Sequence, residues 1–154
     1  MPMHSYSRCW IHMASQDRGP HSGREPVFSK QAAAKVSEFL TDYAAGKGIY
    51  MVINYVNPEH VHTLIDLPTG LTIEDAFKLL KGPSSDWINQ NRVVETKFRW
   101  GRGYGAFSVS QSSVDRVASY IANQEEHHRK KTFIGEYAQL MKAHGLNWSE
   151  EDFD

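Results

Sequence analysis

An α+β fold of the ferredoxin-like sandwich type is what the sequence predicts, an antiparallel sheet of four to five strands with helices packed mainly on one face. Three observations carry this. Strand-like and helical patterns follow in the order strand, helix, two strands, helix, strands. The two central strand-like runs are separated only by "NPE", a connection short enough to force an antiparallel hairpin. The helical segments are apolar on one stripe each, so each can cover one face of a sheet.

The elements can be justified in turn. Tyr6 to Met13 mixes apolar and polar residues as a strand does, and "SQDRGPHSGREP" after it is a polar loop. Ser29 is placed to cap a helix whose Val36, Phe39, Leu40 and Tyr43 keep helical spacing up to Gly46 and Gly48. "IYMVINYV" and "HVHTLIDL" form the hairpin. Thr72 caps a second helix through Lys81, with Ala76, Leu79 and Leu80 as its stripe, and "KGPSSDW" is expected to break it. "VVETKFRW" and "YGAFSVS" read as two further strands with "GRG" as the turn between them. Helices are expected from about Ser113 to Arg129 and from about Phe133 to His144.

Composition sets the outer limits. A chain of 154 residues, 40% hydrophobic and 23% charged, fits one globular domain spanning 1–154. The net charge of −1 conceals a basic "HHRKK" and an acidic "SEEDFD". Cys9 is the sole cysteine, which excludes an intrachain disulfide and a Cys-rich zinc cluster and fits a reducing compartment. No signal core opens the chain, and "IYMVI" is too short to cross a bilayer, so a cytoplasmic address and no membrane are expected.

Chemistry concentrates in two places. Side chains alternate along a strand, so His60 and His62 point to the same face and converge on one spot. In the helix after Ser113, Val114, Val117, Ala118 and Ile121 form the core stripe. Tyr120 then lies roughly 100° off its centre, with Gln124 and His127 along the same edge. Taken alone, the histidines can be an ordinary surface pair and Tyr120 an amphipathic ring at a core rim. His127 and His128 read as a solvated helix end.

"HVHTLIDLP", "LLKGPSSDWI" and "FRWGRGYGAFSVSQSSVDRVASYIANQEEHHRKKTF" together resemble the single-tyrosine transposases of the HUH class, above all those of small insertion sequences and their REP-associated relatives. The likeness thins at the front, where the family's Trp-Ser/Thr-Thr-Lys-like run is replaced by "WIHMASQDR". Glu59 stands where relatives commonly carry aspartate before the first histidine. Carried over by position, the resemblance implies that Tyr120 is the nucleophile and that His60, His62 and Gln124 hold a divalent metal, Mg²⁺ or Mn²⁺. It implies nicking and rejoining of single-stranded DNA at hairpin-marked ends through a 5′-phosphotyrosine. It also implies a two-fold homodimer in which Tyr120 of one chain serves the His60/His62 pair of the other.

Such chemistry needs charge neutralisation at the phosphate and a nucleophile whose ester is reversible, which a phenol provides. A phenol titrates near 10, so a base must help, and both His127 and a hydroxide on the metal remain open. Lys78, Lys81, Arg92, Lys97, Arg99, Arg102, Arg129, Lys130 and Lys131 can bind DNA phosphates, while Trp87, Phe98, Trp100 and Tyr104 can stack on bases. Two other classes compete: a metal-dependent phosphohydrolase using water, and a non-catalytic or domesticated hairpin-binding protein. A histidine-triad hydrolase needs a third alternate histidine, and position 64 is leucine.

Overall fold

The computed structural model describes residues 6–16 and 26–124, together with Gln139 and Lys142. Strand β1 (Tyr6–Ser15) leads to helix α1 (Lys30–Gly46) and the hairpin β2 (Tyr50–Val56) and β3 (His60–Pro68). Helix α2 (Ile73–Gln90), strand β4 (Trp100–Ser108) and, after a 3₁₀ turn, helix α3 (Val114–Ala122) complete it. The sheet has four strands in the order β2-β3-β1-β4, every pair antiparallel. This is the expected sandwich.

Alternation along the central strands divides the molecule into two cores. Cys9, Ile11 and Met13 of β1 and Val61 and Ile65 of β3 point towards α1 and α2, where Val36, Leu40, Ala76 and Leu80 meet them. Trp10 and Ala14 of β1 and Leu64 of β3 point the other way, to Phe107 and Ile121 under α3. Burial pushes the Cys9 thiol above its ordinary pKa, leaving it an inert apolar filler. The caps form as expected. Ser29 Oγ accepts from Ala32 N at 3.1 Å, and Thr72 and Asp75 exchange a capping box.

Two sequence expectations are corrected. Helix α2 does not break at "KGPSSDW" but runs to Gln90 with Pro83 inside it. A proline in a helix interior costs about 3 kcal/mol, and tertiary contacts offset it here. Ser84 Oγ donates to Leu80 O and accepts from Trp100 Nε1 at 2.9 Å, while Ile88 is fully buried beyond the kink site. "VVETKFRW" is not a strand up to Trp100. Asn89 takes both backbone groups of Phe98, accepting at 2.7 Å and donating at 3.0 Å, so they are not offered to a ladder. Arg92 turns the chain with φ of 48°. "GRG" is accordingly part of β4 and not a turn.

Candidate active site

The hairpin register brings the histidines to the middle of the sheet. β3 lies between β2 and β1, and His12 of β1 faces His62 directly across the ladder. His12, His60 and His62 are all buried, on the α3 side, and each offers one ring nitrogen within 4.8 Å of the others. The His60 and His62 rings meet edge to face at 78°, 5.2 Å apart, whereas His12 lies flat on His62 at 4.0 Å and 10°. Sequence reasoning missed His12, although its alternate spacing from Trp10 is a readable signal.

Helix α3 brings the remaining groups. Val114, Val117 and Ala118 pack against the second core and Ile121 is buried in it, so Tyr120 sits half-buried at the edge of the stripe. Its ring meets Trp10 at 5.4 Å and stands perpendicular to His62 at 6.1 Å. Trp10 Nε1 donates to His62 Nδ1 at 2.9 Å, which makes one indole the contact between phenol and imidazole. Within one chain, Tyr120 thus stands beside His62, and Gln124 is joined to His60 through Asn57.

Gln124 is buried just beyond the helix end. Its Oε1 accepts from Asn57 Nδ2 at 2.9 Å, and its Nε2 donates weakly to Tyr120 O at 3.4 Å. The other hydrogen of the Asn57 amide goes to His60 Nε2, also at 2.9 Å. An accepting Nε2 puts the His60 proton on Nδ1, which lies 3.3 Å from Glu59 Oε1. The carboxylate stands within electrostatic reach of that nitrogen. Glu59 is held in turn, its carbonyl accepting from Ser15 N at 2.8 Å and Ser15 Oγ at 3.0 Å.

The donor set fits a divalent ion. His60 Nε2 and Gln124 Oε1 both accept from the same amide nitrogen at 2.9 Å, so their lone pairs face one region, and His62 stands nearly at right angles to His60. Because His62 Nδ1 accepts from Trp10 Nε1, its ring proton is on Nε2, and ligation through His62 requires that proton to shift and the Trp10 contact to open; with that change, two imidazoles and a carboxamide oxygen suit a first-row divalent ion.

The expected DNA-binding residues divide. Lys81, Arg99 and Arg102 converge, and partial burial followed by the charges of Arg102 and Arg99 lowers the Lys81 pKa. Tyr104 stacks on Phe77 at 4.1 Å beside them, and Lys81 lies over the Phe77 ring at 5.3 Å. Lys97 is exposed nearby in sequence. Lys78 pairs with Glu74 at 3.1 Å on the open face of α2. Arg92 borders a separate cavity of about 490 Å³ with Val93 and Pro26. Trp87 stacks on Phe39 at 4.7 Å on the outer face of α1 and α2, away from the histidines. Trp100 and Phe98 are buried, so neither can stack on a base, a correction that follows from their place in the first core. Arg129, Lys130, Lys131, His127 and the expected helix from Phe133 lie outside the described residues.

Comparison with known proteins gives consistent results. The family model described as "Transposase IS200 like" matches residues 7–124. The ISDra2 transposase TnpA of Deinococcus radiodurans is 27% identical over 108 residues, 67% of this chain and 77% of that protein. The crystal structure of a candidate transposase from Deinococcus radiodurans R1 superposes with a TM-score of 0.61 at 22% identity, covering 80% of this chain and 95% of that one. A REP-associated tyrosine transposase bound to a REP hairpin gives 0.60 at 14% identity, covering 100% of this chain and 92% of the other. At those identities the structural likeness speaks for the fold.

Proposed function

The chain belongs to the IS200-like transposase family, and from that premise we propose that it nicks and rejoins single-stranded DNA at hairpin-marked ends through a covalent Tyr120 link. The observation that carries the reading is the meeting of Tyr120 with His62 on one side of the site and of Gln124 with His60 on the other. One helix thus delivers a nucleophile and a ligand to a pair of strand histidines. The hairpin as partner is supported by the neighbour of like fold that is bound to one.

In the proposed reaction the Tyr120 oxygen, on losing its proton, attacks phosphorus. A phosphorus–oxygen bond to the 3′ side breaks, leaving a 5′-phosphotyrosine and a 3′-hydroxyl once that oxygen takes up a proton. Attack by another 3′-hydroxyl reverses the step and frees the phenol. His60, His62 and Gln124 would hold a divalent ion, which would supply positive charge against the phosphate. Trp10 holds the edge of the phenol, Glu59 stands beside the His60 ring, and the Lys81, Arg99 and Arg102 cluster attracts the DNA backbone. Two chains paired about a two-fold axis would handle two DNA ends, each with a site made from its own residues.

Incubation with labelled single-stranded hairpin DNA and Mn²⁺, followed by denaturing electrophoresis, tests the proposal. A protein–DNA adduct that disappears in Tyr120→Phe is expected. Cleavage without an adduct, unchanged in that variant, would identify a water-using hydrolase; hairpin binding with no cleavage would identify a non-catalytic binder.

A further inference from the structure

Asn57 was not among the residues expected to do chemistry, yet it occupies the centre of the site. It is 1% exposed, and its Nδ2 stands 2.9 Å from both His60 Nε2 and Gln124 Oε1. Those are two of the three atoms offered to the metal under the function proposed above, on which the present inference rests. The hydrogens of one –NH₂ group thus engage the lone pairs that a cation would take. Donor hydrogens and a cation cannot use the same lone pairs, since both carry positive charge. Something must therefore move when the ion enters.

The backbone around Asn57 leaves only the side chain to do so. Asn57 N donates to His60 O at 2.8 Å, and the next carbonyl, Pro58 O, accepts from Val27 N at 2.8 Å and Phe28 N at 3.0 Å. The hairpin turn is pinned at both ends. A half-turn of the terminal amide exchanges Nδ2 and Oδ1 in nearly the same volume, replacing a donor by an oxygen suited to Mn²⁺ or Mg²⁺. His12 is a poorer fourth donor, because its ring lies flat on His62 and the two cannot aim at one ion.

We propose that Asn57 is a two-position carboxamide, its Nδ2 holding His60 and Gln124 together in the metal-free protein and its Oδ1 joining them as a ligand in the metal-bound one. His60 Nε2 and Gln124 Oε1 are then held together in the metal-free protein without a pair of bare buried acceptors, and metal entry needs the amide rotation together with a change of tautomer at His62, whose Nδ1 accepts from Trp10 Nε1.

Titration of the purified protein with Mn²⁺ alone, read by calorimetry and by the electron paramagnetic resonance signal of free Mn²⁺, tests this apart from activity. Asn57→Ala removes placeholder and ligand, and its affinity should fall about tenfold or more. Asn57→Asp keeps the volume and presents oxygen only, so its affinity should rise by about tenfold at pH 8. The Asp arm stands even if the Ala variant fails to fold. The control is His60→Ala/His62→Ala, which should bind nothing. Binding by the wild type, lost in that control but unchanged in both Asn57 variants, overturns the role of Asn57 and leaves the metal site standing. Ala binding more tightly than wild type, or Asp more weakly, overturns it as well. No uptake by the wild type removes the metal site and this inference together.

Discussion

Three imidazoles within reach of one another invite the assignment of all three to the metal, and the substitution His12→Phe separates the alternatives. The rings of His12 and His62 are 4.0 Å apart and within 10° of parallel. A ring nitrogen ligates in the plane of its ring, at about 2.0–2.2 Å. An ion in the plane of His62 is therefore a ring-stacking distance, at most about 4 Å, from the plane of His12, well beyond a bond length, and at right angles to the direction of its lone pairs. His12 then serves as a flat support that fixes the His62 ring. Phenylalanine keeps that support and discards both nitrogens, at a packing cost of up to about 1–3 kcal/mol for the extra carbon volume. Mn²⁺ affinity measured by calorimetry should change less than about threefold in His12→Phe, against losses of about 100-fold for His62→Ala. A thermal melt in EDTA checks that the variant is folded. A loss in His12→Phe equal to that in His62→Ala would show that the ring turns to ligate and would refute the argument from parallel planes.

Three further outcomes are expected. Under the proposal that each site is built from one chain's own residues, mixed dimers of His60→Ala/His62→Ala with Tyr120→Phe, confirmed by mass, should recover no cleavage; partial recovery would mean that sites are shared across the two-fold axis. Lys81→Met should weaken single-stranded DNA binding alike for all sequences and reduce the salt slope by about 1. Because burial, then Arg102 and Arg99, lower the Lys81 pKa, its charge is complete below that pKa and is lost as pH rises through it; a filter-binding profile should show that loss at lower pH than for an ordinary lysine, and a profile identical to Lys81→Met throughout would refute the contact. Trp100→Phe strips the donor from Ser84, which should lower stability by about 1–3 kcal/mol, or roughly 3–10 °C in melting temperature, while hairpin affinity in a gel-shift assay stays unchanged.

The parts of the site that were legible in the sequence obey local periodicities. Period two places His60 and His62 on one face, and the 3.6-residue period places Tyr120 at the edge of the α3 stripe, while Gln124, expected on the same edge, lies just past the Asn123 cap that ends the helix. Trp10, His12 and Asn57 depend on register. Trp10 reaches His62 across 52 residues of sequence, and beyond the hairpin partner no local pattern says which strand will lie on the other side of "HVHTLIDL". Asn57 is near in sequence but looks like a turn residue, and only the arrival of Gln124 gives its amide two acceptors. The misread segments have the same origin. Pro83 and "VVETKFRW" carry strong local signals, and Ser84, Trp100 and Asn89 override them through contacts that only the folded chain supplies.

The two halves of the site differ in how firmly they are held. His60 and His62 ride on a strand flanked on both sides by other strands, so their backbone amides open only with the sheet as a whole. Tyr120 rides on α3, whose described residues bury only Ile121 fully. Hydrogen exchange is therefore expected to be slowest at the His60 and His62 amides and faster at the described amides of α3. Under the proposed function, a histidine pair braced by the sheet faces a phenol held by far fewer buried contacts.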